Sequence, residues 1–362
     1  MPRAPLDDLT RSLTQRGAGS FAFAGIALCH QGQQSCHIAT GTSIDANRHT
    51  HFRAASVSKI VTGAAFRIAA KRAGIASPYD VSAQGYLGFD LRHPSFPDDQ
   101  ITLWMLLTHT SGLSDDGGYQ FANGLAADWT QSDRFGPHRP GTYFSYSNLG
   151  YILIAACVEN MTGERFDTFA SEHVLRPHGI AGGFNWSGVP AAARIAALPT
   201  YRRADQKFVP QIDDAIPHYG VMNPYGGVLN EGAYRLSNDT AQVSPQGGLR
   251  LSLDGMLRLG RTIGGSSPLW RQSDGAGDYL DGVFQHYGAG LQIFDSPDFY
   301  PRPLVGHFGN AYGFNGGVWY DVQADAAFAY ALNGLPMDDE SDSFSDAERA
   351  IFHVIDDQVR TA

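Results

Sequence analysis

A hydroxyl and a primary amine stand three residues apart in Ser56-Val57-Ser58-Lys59, where an apolar helical pattern begins. Residues at i and i+3 share a helix face. The Lys59 amine is therefore expected beside the Ser56 oxygen. A serine hydroxyl is a weak nucleophile until a neighbouring base activates it, and an amine can fill that role where no histidine does. Composition makes this lysine informative. Of the 26 basic residues only Lys59, Lys71 and Lys207 are lysines. Arginine keeps its proton in proteins, whereas a buried lysine can lose it.

Two further segments carry candidate chemistry. Tyr146-Ser147-Asn148 immediately precedes an apolar helical stretch. A phenol beside an ammonium has its ionised form favoured, so the Tyr146 pKa is expected to fall. Tyr146 would then take the Ser56 proton and pass it to the leaving group. Asn148 would hold Lys59 and meet a substrate amide. The third segment is His307-Phe308-Gly309, followed by Asn310. The triplet His-x-Gly occurs four times, at His30, His218, His286 and His307. Position favours His307, which precedes the glycine-rich run Gly313–Gly317 and a final strand. His286, also at a strand entry, is the rival.

The elements that must position these groups are legible as periodicities. Residues 5–17 form a short amphipathic helix with Leu6, Leu9 and Leu13 on one side. Residues 20–29 and 35–40 read as a hairpin around Gln31–Gln34. Residues 56–73 repeat apolar positions at helical spacing up to Gly74. Thr102 is placed to cap a helix over residues 103–109. Residues 149–161 are apolar nearly all round, as in a buried helix, and Gly163 closes them. Residues 184–246 read as long loops. Residues 287–294, 317–321 and 326–332 read as strands, and 346–359 as a closing helix. The expected organisation is a sheet domain from residues 1–75 and 247–362, with 76–246 a mostly helical domain and the site in the groove between.

Composition narrows the classes. The 362 residues carry a net charge of −10 and show no basic stripe, which argues against a nucleic-acid partner. No stretch reaches membrane-span length, and residues 1–16 lack the apolar core of a signal segment. The expected location is cytoplasmic, or periplasmic if a leader has been removed. Cys29 and Cys36 flank the hairpin turn and could pair only in an oxidising compartment; Cys157 reads as a core residue. No metal site is expected: His49-Thr50-His51 lacks further ligands at metalloenzyme spacing. No cofactor is implied, since nucleotide-binding glycine motifs are absent.

Taken in order, the three segments resemble the penicillin-recognising serine hydrolases: class C β-lactamases, D,D-carboxypeptidases, D-aminopeptidases and related esterases. Residues 52–59 are similar to that group's nucleophile segment. Tyr146-Ser147-Asn148 is similar to its second motif and His307-Phe308-Gly309 to its third. The stretches Ile101–Leu113, containing Leu107–Leu113 with His109, and Gln246–Leu259 are similar to segments read as structural. The resemblance implies an α+β, β-lactamase/transpeptidase-like fold, an antiparallel sheet flanked by helices with a mostly helical insertion. It implies an acyl-enzyme on Ser56, base work shared by Lys59 and Tyr146, and an oxyanion hole from the Ser56 and Asn310 N–H groups. The substrate would be a small ester, an amide or a short D-peptide; the oligomeric state is left open. His307 stands where many relatives have lysine, and histidine is mostly neutral at pH 7. A substrate carboxylate would be held less firmly, and Phe308 is expected to narrow that wall. The alternative is a catalytically silent binding or sensor protein with the same pocket.

Overall fold

The computed structural model describes residues 5–15, 20–41, 44–119, 121–129, 132–184, 186, 188–204, 207–211, 231–264, 276–277, 286–336 and 344–361. Six strands form the principal sheet: β1 (Phe23–His30), β2 (Gln33–Thr40), β3 (Gln292–Phe294), β4 (Leu304–Ala311), β5 (Phe314–Asp321) and β6 (Ala326–Asn333). Their order is β3-β4-β5-β6-β1-β2, antiparallel throughout. Both ends of the chain thus supply one sheet.

Strand periodicity sorts the side chains to two faces. Ile26, Leu28, Trp319, Phe328 and Tyr330 join Leu6, Ile351 and Phe352 in one apolar cluster. That face is covered by the N-terminal helix Pro5–Thr14 and the closing helix Asp346–Thr361. Ala27, Val318, Ala327 and Ala329 belong to the other, larger cluster, with Met256 and Leu257 of the helix Leu253–Gly264. Small side chains on this face let the helix approach the sheet closely. A Cβ on Gly260 would lie 3.2 Å from Val318.

The β1–β2 connection turns at Gln31 and Gly32, with φ of 51° and 76°. Two left-handed residues suit a two-residue hairpin turn, shorter than the four-residue turn expected. The register consequently sets Cys29 opposite Gln34 and Cys36 opposite Ala27, and both cysteines are free thiols.

The nucleophile segment starts as a 3₁₀ turn, Ala55–Val57, and continues as the helix Ser58–Arg72. Thr102 caps the next helix as expected, its Oγ1 accepting from Met105 N at 3.2 Å. That helix ends at Leu107, because His109 is left-handed at φ 59°. The helix Asn148–Thr162 is buried over most of its length and ends at Gly163, φ 71°.

Two further expectations are corrected. Residues 287–294 are not one strand: Gln292–Phe294 pairs with β4, while Tyr287 bridges back to Gln292 because Gly288–Leu291 turns against the nucleophile helix. A Cβ on Gly290 would lie 2.2 Å from the Lys59 carbonyl oxygen, and one on Gly63 2.3 Å from that of Ala289. Bare backbone on both sides permits this approach. Nor are residues 184–246 all loop. Tyr201–Ala204 and Lys207–Pro210 pair in a hairpin that Leu335–Pro336 extends. Residues 212–230, with His218, lie outside the described residues. No helix among the described residues is long and apolar enough to cross a membrane.

Candidate active site

Ser56 sits in the 3₁₀ turn that the antiparallel strands His51–Arg53 and Leu249–Ser252 hold in place. Ser58 pins the turn from below: its Oγ donates to the Ala55 carbonyl at 2.5 Å and accepts from Leu249 N at 3.0 Å. Ala55, just before the nucleophile candidate, is left-handed at φ 46°. Such a backbone costs a non-glycine residue about 1–2 kcal/mol. Strand β4 runs alongside. A Cβ on Gly309 would lie 2.6 Å from the Ala54 oxygen and 3.2 Å from the Ser56 nitrogen.

One helical turn on, Lys59 is fully buried. Its Nζ donates to Ser56 Oγ at 3.0 Å, to Asn148 Oδ1 at 2.9 Å and to the Gln246 carbonyl at 2.9 Å. Tyr146 completes the group, its hydroxyl donating to Ser56 Oγ at 2.9 Å. Ser56, Tyr146 and Asn148 are half-buried, so the cluster reaches an opening rather than being sealed.

Burial dominates the proton affinities here. It lowers the Lys59 pKa from 10.5 to about 7, against the Asp115 carboxylate, with Arg53 acting in the same direction as burial. An amine so placed is neutral in a large fraction of molecules at neutral pH. Tyr146 departs from the expected fall. Burial of its hydroxyl raises its pKa well beyond the ordinary phenol value, and the hydrogen bond to Ser56 opposes this without reversing it. Desolvation therefore dominates, and the Asp115 carboxylate acts in the same direction.

His307 is fully buried, with both ring nitrogens engaged. Nδ1 faces its neighbour's carbonyl, Phe308 O, at 2.5 Å, and Nε2 faces the Tyr287 hydroxyl at 2.5 Å. A carbonyl can only accept, so Nδ1 carries the proton and Nε2 accepts from Tyr287. Burial and the Lys59 charge hold its pKa well below the usual imidazole value. It is neutral, and it reaches the cluster through aromatic contact, its ring centroid 6.4 Å from that of Tyr146. Phe308 does not narrow the groove as expected. Alternation along β4 turns it to the opposite face, where it packs near Phe344. Asn310, opposite Asn315, is half-buried two residues beyond.

His109, read from the sequence as structural, stacks on Tyr146 at 4.4 Å between centroids and accepts from Ser147 N at 3.0 Å through Nδ1. Other contributors were not singled out from the sequence. Tyr151 and Tyr287 wall the same space. Asp115 binds the start of the helix that carries Asn148, accepting from Asn148 N at 2.7 Å. Its position after the Leu107–Leu113 stretch was the available signal. The Gln246–Leu259 stretch was read as structural, and nothing in it marked the Gln246 carbonyl, because every residue has one. His51 directs both ring nitrogens at backbone carbonyls, His49 O at 3.0 Å and Ala181 O at 2.9 Å. No group of three or more metal-ligating side chains occurs among the described residues.

Comparison with known proteins gives this arrangement its context. A penicillin-binding protein 4* of Bacillus subtilis (strain 168) is 32% identical over 111 residues, 27% of this chain and 25% of that protein. Protein flp of Staphylococcus aureus (strain MW2) is 28% identical over 141 residues, 37% of this chain and 28% of that protein. The matched stretch thus spans about a quarter of each curated relative. Among solved structures, D-amino acid amidase from Ochrobactrum anthropi SV3, complexed with L-phenylalanine amide, has a TM-score of 0.71 at 16% identity and covers 98% of both chains. A D-stereospecific amidohydrolase from Streptomyces sp. gives 0.69 at 14% identity, covering 97% of this chain and 98% of that one. A beta-lactamase/D-alanine carboxypeptidase from Yersinia pestis, complexed with citrate, gives 0.67 at 14%, covering 98% of both. These likenesses establish a β-lactamase/transpeptidase-like α+β fold. The Beta-lactamase family model matches residues 9–351, nearly the whole length, and the chain belongs to the beta-lactamase family.

Proposed function

We propose that the protein is a serine hydrolase that cleaves an ester or amide bond through an acyl-enzyme on Ser56. One observation carries this reading: Ser56 Oγ lies 3.0 Å from the Lys59 amine and 2.9 Å from the Tyr146 hydroxyl. Neutral Lys59 takes the Ser56 proton as Oγ attacks the carbonyl. The resulting oxyanion is held by the N–H groups of Ser56 and Asn310. The leaving group departs with a proton delivered through Tyr146, which keeps its own proton at neutral pH and so acts as a relay. Water then attacks the acyl-enzyme, the same groups accept its proton, and Ser56 is released. Asn148 fixes Lys59 from one side.

The neutral, enclosed His307 supports amides and esters without a carboxylate over substrates that need a cation for one. The solved structures named above include a D-amino acid amidase, and amides of D-amino acids are the first substrate class proposed. A screen of p-nitrophenyl esters, D-alanyl p-nitroanilide and nitrocefin tests this. Hydrolysis of the first two with slow turnover of nitrocefin is expected; a clear preference for nitrocefin would overturn it. Acylation that never reverses would instead favour a sensor.

Gly309 provides a second check. Its Cβ-less backbone lets β4 lie against the Ser56 nitrogen, and a methyl would sit 2.6 Å from the Ala54 oxygen. Gly309→Ala must push the strand away from the nucleophile, where oxyanion donors stand. Loss of such a donor costs about 10²–10³ in kcat. A fall of about 10²-fold, with little change in KM, is the expected steady-state result.

A further inference from the structure

Two charged side chains brace the segments that hold Lys59 beside Ser56. Asp115 follows the Leu107–Leu113 stretch. Its Oδ1 accepts from Ser147 Oγ at 3.0 Å and Leu149 N at 3.1 Å, and its Oδ2 accepts from Asn148 N at 2.7 Å. One carboxylate thereby ties three consecutive residues directly after Tyr146, at a helix N-terminus where negative charge is favoured. Asn148 then receives the Lys59 amine at 2.9 Å.

Arg53 acts on the second segment. Its Nε donates to the Gly247 carbonyl at 2.7 Å, and the preceding carbonyl, Gln246, takes Lys59 Nζ at 2.9 Å. A guanidinium and an amine thus occupy adjacent carbonyls of one segment. Arg53 is buried, lies 4.4 Å over the Tyr312 ring, and has an Nη1 without a partner. No carboxylate pairs with it among the described residues.

We propose that Asp115 and Arg53 are positioning residues of the reaction, opposed charges that hold the two backbone segments gripping Lys59 and set how readily that amine serves as base. This rests on the hydrolase reading. The other titratable groups facing Lys59 contribute no full charge at neutral pH. Tyr146 and Tyr151 are held protonated by burial, and His109 and His307 are held neutral by it. Asp115 favours the ammonium form of Lys59 and Arg53 disfavours it. Removing each charge must therefore move the activity profile in opposite directions.

The test follows acylation of Ser56 by p-nitrophenyl acetate against pH, by p-nitrophenolate release and intact mass. Asp115→Asn is expected to move the acid limb about half a pH unit or more downward, and Arg53→Gln to move it upward by a similar amount. Asp115→Asn should also lower the plateau rate about tenfold through misplacement of Tyr146 and Asn148. Asp115→Glu, which restores the charge, should return the limb towards its wild-type position. If Asp115→Asn does not fold, Arg53→Gln decides by the direction of its shift. Folded variants whose limbs coincide with wild type overturn the inference alone. A wild-type protein that is never acylated at Ser56 overturns the hydrolase reading and the inference together.

Discussion

Replacing Ser56 with alanine is expected to lower kcat by about 10⁴-fold or more, with thermal unfolding nearly unchanged. Losing a nucleophile of this kind removes the covalent route and leaves only binding and oxyanion stabilisation, so losses reach about 10⁶ elsewhere. The fold should tolerate the change. Ser56 is half-buried and, among the described residues, its Oγ accepts hydrogen bonds from Lys59 and Tyr146, while Lys59 keeps Asn148 Oδ1 and Gln246 O. The expected stability change is about 1 kcal/mol. Parallel measurement of kcat and of the melting curve checks both halves. Wild-type turnover in the alanine variant would place the chemistry elsewhere; a collapsed melt would make Ser56 structural.

Lys59→Arg is expected to cost about 10³-fold in kcat, the scale of a lost general base, although formal charge is kept. An arginine cannot give up its proton near neutrality. Its planar head also cannot reproduce one nitrogen with three acceptors at 2.9–3.0 Å. The sign of the pH dependence follows from the same group. Burial brings Lys59 from 10.5 down to about 7, so the active, neutral amine predominates above that value and is lost below it. Wild-type kcat/KM should therefore rise through about pH 7 and level off. The arginine variant should show no such limb. Rates near wild type in Lys59→Arg, or a wild-type limb several units away, would remove Lys59 as the base.

Much of this site could be read from residue types and spacing. Ser56, Lys59, Tyr146 and Asn148 meet in direct hydrogen bonds, as an i,i+3 pair beside a loop at a helix start allowed. The sheet was legible from the strand-like runs at both chain ends. What escaped the sequence has physical causes. The Tyr146 pKa depends on enclosure, which spacing does not report, so desolvation reversed the expected direction. The Phe308 side depends on strand parity relative to its neighbours, which became visible only with the β4–β5 register. The hairpin turn was misread by two residues, because non-glycine Gln31 also adopts positive φ. Asp115 acts through backbone N–H groups, and no residue code records which amides a carboxylate will meet.

The most direct test of the central claim is the mass of the protein, and of its peptides, after brief exposure to an activated ester or a fluorophosphonate. We expect one adduct, located on Ser56, forming faster above pH 7 than below and absent from the alanine variant. Full reactivity elsewhere with Ser56 unmodified would contradict the account.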